Sequence, residues 1–510
     1  MKLNYKRTLL VGFAFFLICA FWQAYDTLVP KILTDKFGLS QSVSGAVMAI
    51  DNLLAVFLLP WFGAISDRSG FKSGKRKPFV LVGTLIACVA VLALSFADNA
   101  QLKNISAVSE DSRSSLEVLY DAEPSLKIKK SDSAEELPLK QAIGREAFVS
   151  IFDLKDTDSE KYNQMYTDYV MPARQAYAAN STRVNPVPFV CFGGILMILL
   201  VSMGTFRSPA VALMPDVTAK PLRSKANAVI NLMGAVGGIL VLVLGILFGT
   251  GKIENSLMSY GGFFVAVVGI MLAALLVFML FVKEPEWSAE AAALNLKSDG
   301  EVTGNGDRKL TKGEKISLVL ILASVVLWFM GYNAVISKYS VYASNVLGLD
   351  YNLTLTVAQG AAIISYIPIG MIASKVGRKK SIIAGVVMLG TAFTVASFMR
   401  SGSSLWMMNA IFVLAGIGWA TISVNSYPMV VELSKGSNVG KYTGYYYTAS
   451  MAAQMITPVL SGVFLDIKLT TLFPYAAIFT FLAFVTMLFV KHGDNKPEAK
   501  MNIEAFGAED

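Results

Sequence analysis

Two aspartates and an arginine stand inside apolar runs of this sequence: Asp26, Asp51 and Arg207. A charge in hydrocarbon is costly, so such residues face a protein interior or a watery cavity and mark ion or substrate paths. Asp51 lies about 12 Å of helix beyond Val43, at 1.5 Å per residue, and beside Asn52, whose amide both donates and accepts. Asp26 follows Trp22, Gln23 and Tyr25. That aromatic and amide cluster suits a hydroxylated ligand, because sugars offer apolar C–H faces for stacking and hydroxyls for hydrogen bonding. Carboxylates can take up and release a proton. The single histidine, His492, follows the last apolar run and cannot act as an in-membrane relay. Asp26 and Asp51 are therefore the candidate proton-coupling groups. Trp22, Gln23, Asn52, Arg207, Tyr332, Asn333, Gln359, Asn425 and Gln454 are the candidate substrate contacts. The plain alternatives are that Asp26 is solvated at an outer mouth, that Arg207 anchors the end of a shorter fourth helix, and that the amides are interhelical glue worth about 0.6 kcal/mol each. Trp328 and Trp419 offer rings for stacking on substrate, although an aromatic on a helix face is more often packing or interfacial belt.

The elements that must position these groups follow from composition. Hydrophobic residues make up 54% of 510 positions and charged residues 16%, where a soluble domain carries about a quarter charged; mean hydropathy is +0.55. The apolar residues come in blocks long enough to span a bilayer, and such blocks must be helices because lipid satisfies no backbone group. They run Thr8–Val29, Val43–Ile65, Pro78–Ala97, Val187–Leu213, Ala226–Gly249, Ser259–Val282, Ile316–Ser337, Leu353–Ser374, Ser381–Met399, Leu405–Tyr427, Tyr442–Leu465 and Leu472–Val490. Twelve spans put both termini on one side, and basic clusters such as Lys75–Lys77 and Arg378–Lys380 assign that side to the cytoplasm of a multi-pass cell-membrane protein. The same clustering between spans accounts for the net charge of +8 and argues against nucleic acid as a partner. The first span continues to Val29 with no small-x-small site and reads as an uncleaved helix. Cys19, Cys88 and Cys191 fall in apolar spans and imply no disulfide framework.

Helices 1–3 occupy residues 1–97 and helices 4–6 residues 186–282, with helices 7–12 at 316–491 and a cytoplasmic tail at 492–510. Residues 98–185 form an external insert whose apolar positions (Phe148, Ile151, Phe152, Tyr162, Tyr166, Tyr169) predict a small ordered cap. Residues 283–315 form a cytoplasmic linker with a Gly-, Asp- and Asn-rich stretch. The halves repeat one another: Gly63-Ala-Ile-Ser-Asp67-Arg68 with Gly74-Lys75-Arg76-Lys77-Pro78 after the second span, Gly370-Met-Ile-Ala-Ser374-Lys375 with Gly377-Arg378-Lys379-Lys380 after the eighth. Duplicated six-helix units are a common transporter plan.

These two stretches resemble the G-x-x-x-D-[RK]-x-G-R-[RK] loop signature of the major facilitator superfamily. The first, from Ser66-Asp67-Arg68 to Gly74-Lys75-Arg76-Lys77-Pro78-Phe79, is similar to the sucrose/proton symporters of the solute carrier family 45 type, as is Pro209-Ala-Val-Ala-Leu213-Met-Pro-Asp216. Arg223, Ala226-Asn227, Asn231 and Gly234, with Gly444-Tyr445-Tyr446-Tyr447, also resemble the glycoside–pentoside–hexuronide:cation symporters. The resemblance implies an all-α major facilitator fold and a cation-driven sugar carrier. One departure stands out: Val211 occupies the position of the sugar-binding arginine of that pattern, and Arg207 lies one turn earlier on roughly the same face.

No phosphate-cradling loop and no metal-ligand spacing occurs, so neither ATP, a cofactor nor a metal is expected, and no enzyme activity. The expected function is a monomeric secondary transporter of a disaccharide or related glycoside with a proton, sodium being the other possible coupling ion. A latch of Gly63, Asp67, Arg68, Gly74, Lys75 and Arg76, with Gly377 and Arg378 in the second half, is expected at the cytoplasmic gate. Two other readings remain: an exporter of hydrophobic or cationic compounds, and a non-transporting sensor that binds ligand in residues 98–185.

Overall fold

A computed structural model describes residues 3–122, 125–219, 222–298, 310–433 and 439–493. Among the described residues the apolar blocks form twelve long helices. The first six are α1 (Tyr5–Lys31), α2 (Gln41–Arg68), α3 (Lys77–Asn104), α4 (Val187–Asp216), α5 (Arg223–Phe248) and α6 (Gly261–Phe281). The second six are α7 (Lys312–Tyr342), α8 (Tyr351–Val376), α9 (Arg378–Ala396), α10 (Leu405–Glu432), α11 (Val439–Ile467) and α12 (Leu472–Leu488). Among the described residues eleven helical segments are long and apolar enough to cross a membrane, and α8, at 26 residues, completes the order.

Among the described residues each half has an extensive apolar core. Phe15, Leu94, Met203 and Met271 centre the first; Trp328, Leu389, Phe412 and Met487 centre the second, where Leu242 of α5 joins them. Each half is tied at the face where α1 begins and α12 ends, the face of the termini. Lys77, at the start of α3, donates to Met279 O (3.0 Å) and Val282 O (2.7 Å) at the end of α6. Lys379, at the start of α9, donates to Leu488 O (3.1 Å) and Val490 O (2.6 Å) after α12. Both lysines serve carbonyls that a helix end leaves without partners and sit at the negative end of its dipole. At the opposite face α1 and α7 finish alike, in π-helical turns (Ile32–Lys36, Ala343–Leu347) followed by glycines at φ 65° and 64° (Gly38, Gly348). A left-handed residue there favours glycine.

The third helix runs to Asn104 rather than stopping at Ala97. Its polar end is satisfied inside the protein: Lys36 Nζ donates to both Asp98 oxygens at 2.7 Å, and Gln101 Nε2 donates to Lys36 O at 2.9 Å. The insert proper therefore starts at about residue 105. It folds into short helices, an antiparallel pair Lys127–Ile128 with Leu137–Pro138, and a helix Met171–Val184. Phe148, Ile151, Tyr162 and Tyr166 are buried in its own core, which also takes Ile253 and Leu257 from the α5–α6 connection; Phe152 and Tyr169 pack against it. The linker is helical from Glu284 to Ser298, with Trp287 buried under the Arg7 guanidinium, 5.3 Å from the ring, and Arg7 paired to Glu290. The Gly-rich residues 299–309 and the tail from 494 lie outside the described residues.

Candidate functional site

Where the two halves meet, five helices turn polar side chains into one cavity of about 180 Å³. The lining follows helical periodicity: Trp22 and Asp26 on α1; Met48, Asp51 and Asn52 on α2; Asn333, Ile336 and Ser337 on α7; Gln454 and Pro458 on α11. Positions three and four apart share a helix face, so each helix offers one stripe. Arg207 of α4 closes the ring. Its helix runs on to Asp216, which places the guanidinium within the helix body and not at a helix end.

The contacts within the cavity are specific. Asp51 Oδ1 accepts from Asn52 N at 2.6 Å and from Asn52 Nδ2 at 2.8 Å, which holds the carboxylate in one orientation. The Arg207 guanidinium stands 5.6 Å from the Trp22 ring centre, in cation–π range. Trp22 in turn meets Tyr25 edge-on at 5.2 Å, so its ring is fixed from behind. Among the described residues Trp22 Nε1 and Asn333 Nδ2 are buried donors without hydrogen-bond partners, and both side chains line the cavity. Beside it, Gln359 Nε2 of α8 donates to Gln23 Oε1 of α1 at 2.5 Å, an amide pair that crosses from one half to the other.

The structure brings together Trp22, Asp26, Asp51, Asn52, Arg207, Asn333 and Gln454, with Gln23 and Gln359 adjoining. Two of the expected contacts lie elsewhere. Tyr332 stacks flat on Trp419 (3.5 Å between centroids, 2° between planes). Asn425 is fully buried, and its Nδ2 donates to Thr421 O of its own helix at 2.9 Å. Met48, Ile336, Ser337 and Pro458 carry no chemical flag in the sequence; their three- and four-residue spacing from Asp51, Asn333 and Gln454 is the signal that finds them. Val211 packs against the first apolar core.

On the face of the termini, Arg76 is buried and carries most of the latch. It pairs with Asp67, donates to Asp216 Oδ2 at 2.8 Å and contacts Ser66 Oγ. Glu284 takes the Arg76 and Lys77 backbone N–H groups at 2.8 and 2.9 Å. Gly74, at φ 119°, lies against Glu284, where a Cβ would meet Oε2 at 2.2 Å. Arg68 and Lys75 are exposed. In the second half Gly377 has φ 101° and Arg378 is buried. Asp216 and Glu284 join this contact network although sequence spacing does not suggest them, since both lie far from the motif in the chain.

On the insert face a polar network pins the halves together. Lys31 of α1 donates to Ser344 Oγ at 2.8 Å, and Asn345 Nδ2 to Asp35 Oδ1 at 3.5 Å. Lys338 of α7 donates to Gln41 O at 2.8 Å. Asp466 of α11 accepts the backbone N–H groups of Gln41 (2.6 Å) and Ser42 (2.9 Å), a carboxylate on the positive end of α2. Helices α2 and α11 touch through glycines: a Cβ at Gly45 would lie 1.9 Å from Pro458 O, and one at Gly462 2.4 Å from Gln41 O. These contacts hold the two halves together on this side.

The sequence profile of the Major Facilitator Superfamily matches residues 5–108 and 350–507. A putative glycoside/cation symporter, YagG of Escherichia coli (strain K12), is 35% identical over 75 residues, 14% of this chain and 16% of that protein. Sucrose transport protein SUT5 of Oryza sativa subsp. indica is 33% identical over 64 residues, 12% of each. The matched segments thus span under a fifth of these curated relatives. The inward open xylose transporter XylE from E. coli superposes over 99% of both chains at TM-score 0.57 and 12% identity. A bacterial homologue of the iron transporter ferroportin, inward-facing, covers 96% of this chain and 100% of its own, at TM-score 0.54 and 15% identity. The two structures share the fold. With a profile that covers half its length, the chain belongs to the Major Facilitator Superfamily.

Proposed function

We propose that this membrane transport protein is a proton-coupled symporter of a sugar or glycoside, disaccharides included, working by alternating access. In this reading the insert face is external, the face of the termini is cytoplasmic, and the protein acts as a monomer in the cell membrane. The observation that carries it is the inter-half cavity: two carboxylates, one guanidinium, an indole and three amides converge where halves can rock about a fixed site. Indole and amides serve a polyhydroxylated ring, and the carboxylates serve a proton. At about 30 Å³ per water, 180 Å³ is the space of about six waters, on the scale of one sugar ring. The exporter reading calls for a roomier acidic pocket without paired amides, and this cavity is small and amide-rich.

Reconstituted in liposomes under an imposed pH gradient, the protein should accumulate one member of a panel of labelled mono- and disaccharides, and a protonophore should abolish the accumulation. Downhill flux with no response to either a proton or a sodium gradient would overturn the coupling. Absence of sugar flux across the panel would overturn the substrate class.

A further inference from the structure

We infer that the insert is a clasp that holds the external gate shut and so sets which face the cavity opens to at rest. The inference rests on the alternating-access reading. The insert is rooted in the first half. Thr182 Oγ1 donates to Phe37 O at 2.9 Å, Gln175 Nε2 donates to Asp35 Oδ1 at 2.8 Å, and Gln101 Nε2 donates to Thr182 Oγ1 at 3.1 Å. Gly38 is pressed against the backbone of Ala179, where a Cβ would lie 2.3 Å from the amide nitrogen. From this base the insert crosses the seam and reaches three loops of the second half. Asn163 lies against Gly348 after α7 and Glu160 against Gly402 between α9 and α10. Thr470 N, after α11, donates to Ser131 O at 3.2 Å, and Lys129 Nζ donates to Asp466 O.

Asp466 is the hub. Its carboxylate caps α2 of the first half, while its carbonyl is taken by Lys129 of the insert. Outward opening must part α2 from α11, and with the insert fixed to the first half every contact to the three loops must break in the same motion. Charge-assisted hydrogen bonds are the stronger kind, so the clasp adds its strength to the state closed outside.

The first test reads the gate directly in the full-length protein, without a transported solute. In a background with Cys19, Cys88 and Cys191 replaced by serine, Ser44→Cys places one thiol on α2 where Ser44 is fully buried. A membrane-impermeant maleimide is added from the insert face. Lys129→Met should raise the alkylation rate about tenfold, the shift expected from losing one charge-assisted hydrogen bond. Asp466→Ala, which breaks the gate itself, should raise it further. A second pair, Ser131→Cys with Thr470→Cys, introduced into the same cysteine-free background without Ser44→Cys, should stop sugar counterflow on oxidation and recover it on reduction. Faster labelling in Asp466→Ala with none in Lys129→Met, or counterflow indifferent to the cross-link, would overturn the clasp and leave the gate standing. No acceleration in either variant would overturn clasp and gate together.

Discussion

At the scale of single residues the proposed function divides the labour of the cavity. Asp51 is oriented by Asn52 through two bonds to one oxygen, which leaves its other oxygen available for a proton. Asp51→Asn should abolish uphill accumulation in proteoliposomes while preserving part of the downhill exchange; normal accumulation by the variant would make Asp51 structural. Arg207 presents a planar fork over Trp22, and an ammonium does not reproduce that geometry. Arg207→Lys should weaken sugar binding roughly tenfold or more, the equivalent of about 1.5–3 kcal/mol per charge-assisted hydrogen bond lost, as read by calorimetry. Val211→Arg should not rescue it, because Val211 packs on the apolar core of its half. These groups were legible in the sequence for one physical reason: an ionisable or amide side chain inside an apolar run has to face something. The same rule over-reached at Tyr332, whose ring is covered by a stacked indole, and at Asn425, whose amide nitrogen is taken by its own helix. Sequence alone does not separate a helix's cavity face from a polar but packed one.

At the scale of elements, the apolar blocks delivered the helices and their order, while the helix ends escaped. Lys31, Lys36, Asp98, Lys338 and Asp466 sit at block edges, where a charge reads as the start of a loop. In the structure they are partnered across helices, so α1 and α3 run on beyond their apolar cores. Such pairing depends on residues tens or hundreds of positions apart and leaves no local trace. The close contact of α2 with α11 yields a further prediction. Gly45→Val puts carbon where the Pro458 carbonyl already stands, and overpacking of this kind costs about 1–3 kcal/mol. That cost falls on the externally closed state alone, so Ser44→Cys in this background should label quickly and net uptake should collapse. Slow labelling equal to the parent would mean that α2 and α11 do not part in the cycle.

For the whole molecule, the two halves and the insert each own a core, and this bears on what can be removed. Replacement of residues 106–185 by a Gly/Ser linker spares the Lys36–Asp98 pair and every cavity residue. Sugar affinity in detergent should stay within about threefold, a fraction of one hydrogen bond's worth; loss of binding in a monodisperse deletion protein would make the insert part of the site. The presence of an ordered insert was readable from its apolar positions, whereas its reach across the seam was not, since nothing in Lys129 or Ser131 names Asp466 or Thr470 as a partner. That reach also imposes a schedule on biosynthesis. Chains leave the ribosome N-terminus first, and domains generally fold as units in that order, so the insert is made and its core closed before any of α7–α12 exists. Its receptors at Gly348, Gly402 and Asp466–Thr470 arrive late, the last of them with α11 and the turn before α12. A conformation-specific antibody to the junction of Ser131 and Thr470 would therefore recognise only chains whose eleventh helix has been laid in, and would serve as a reporter of late assembly.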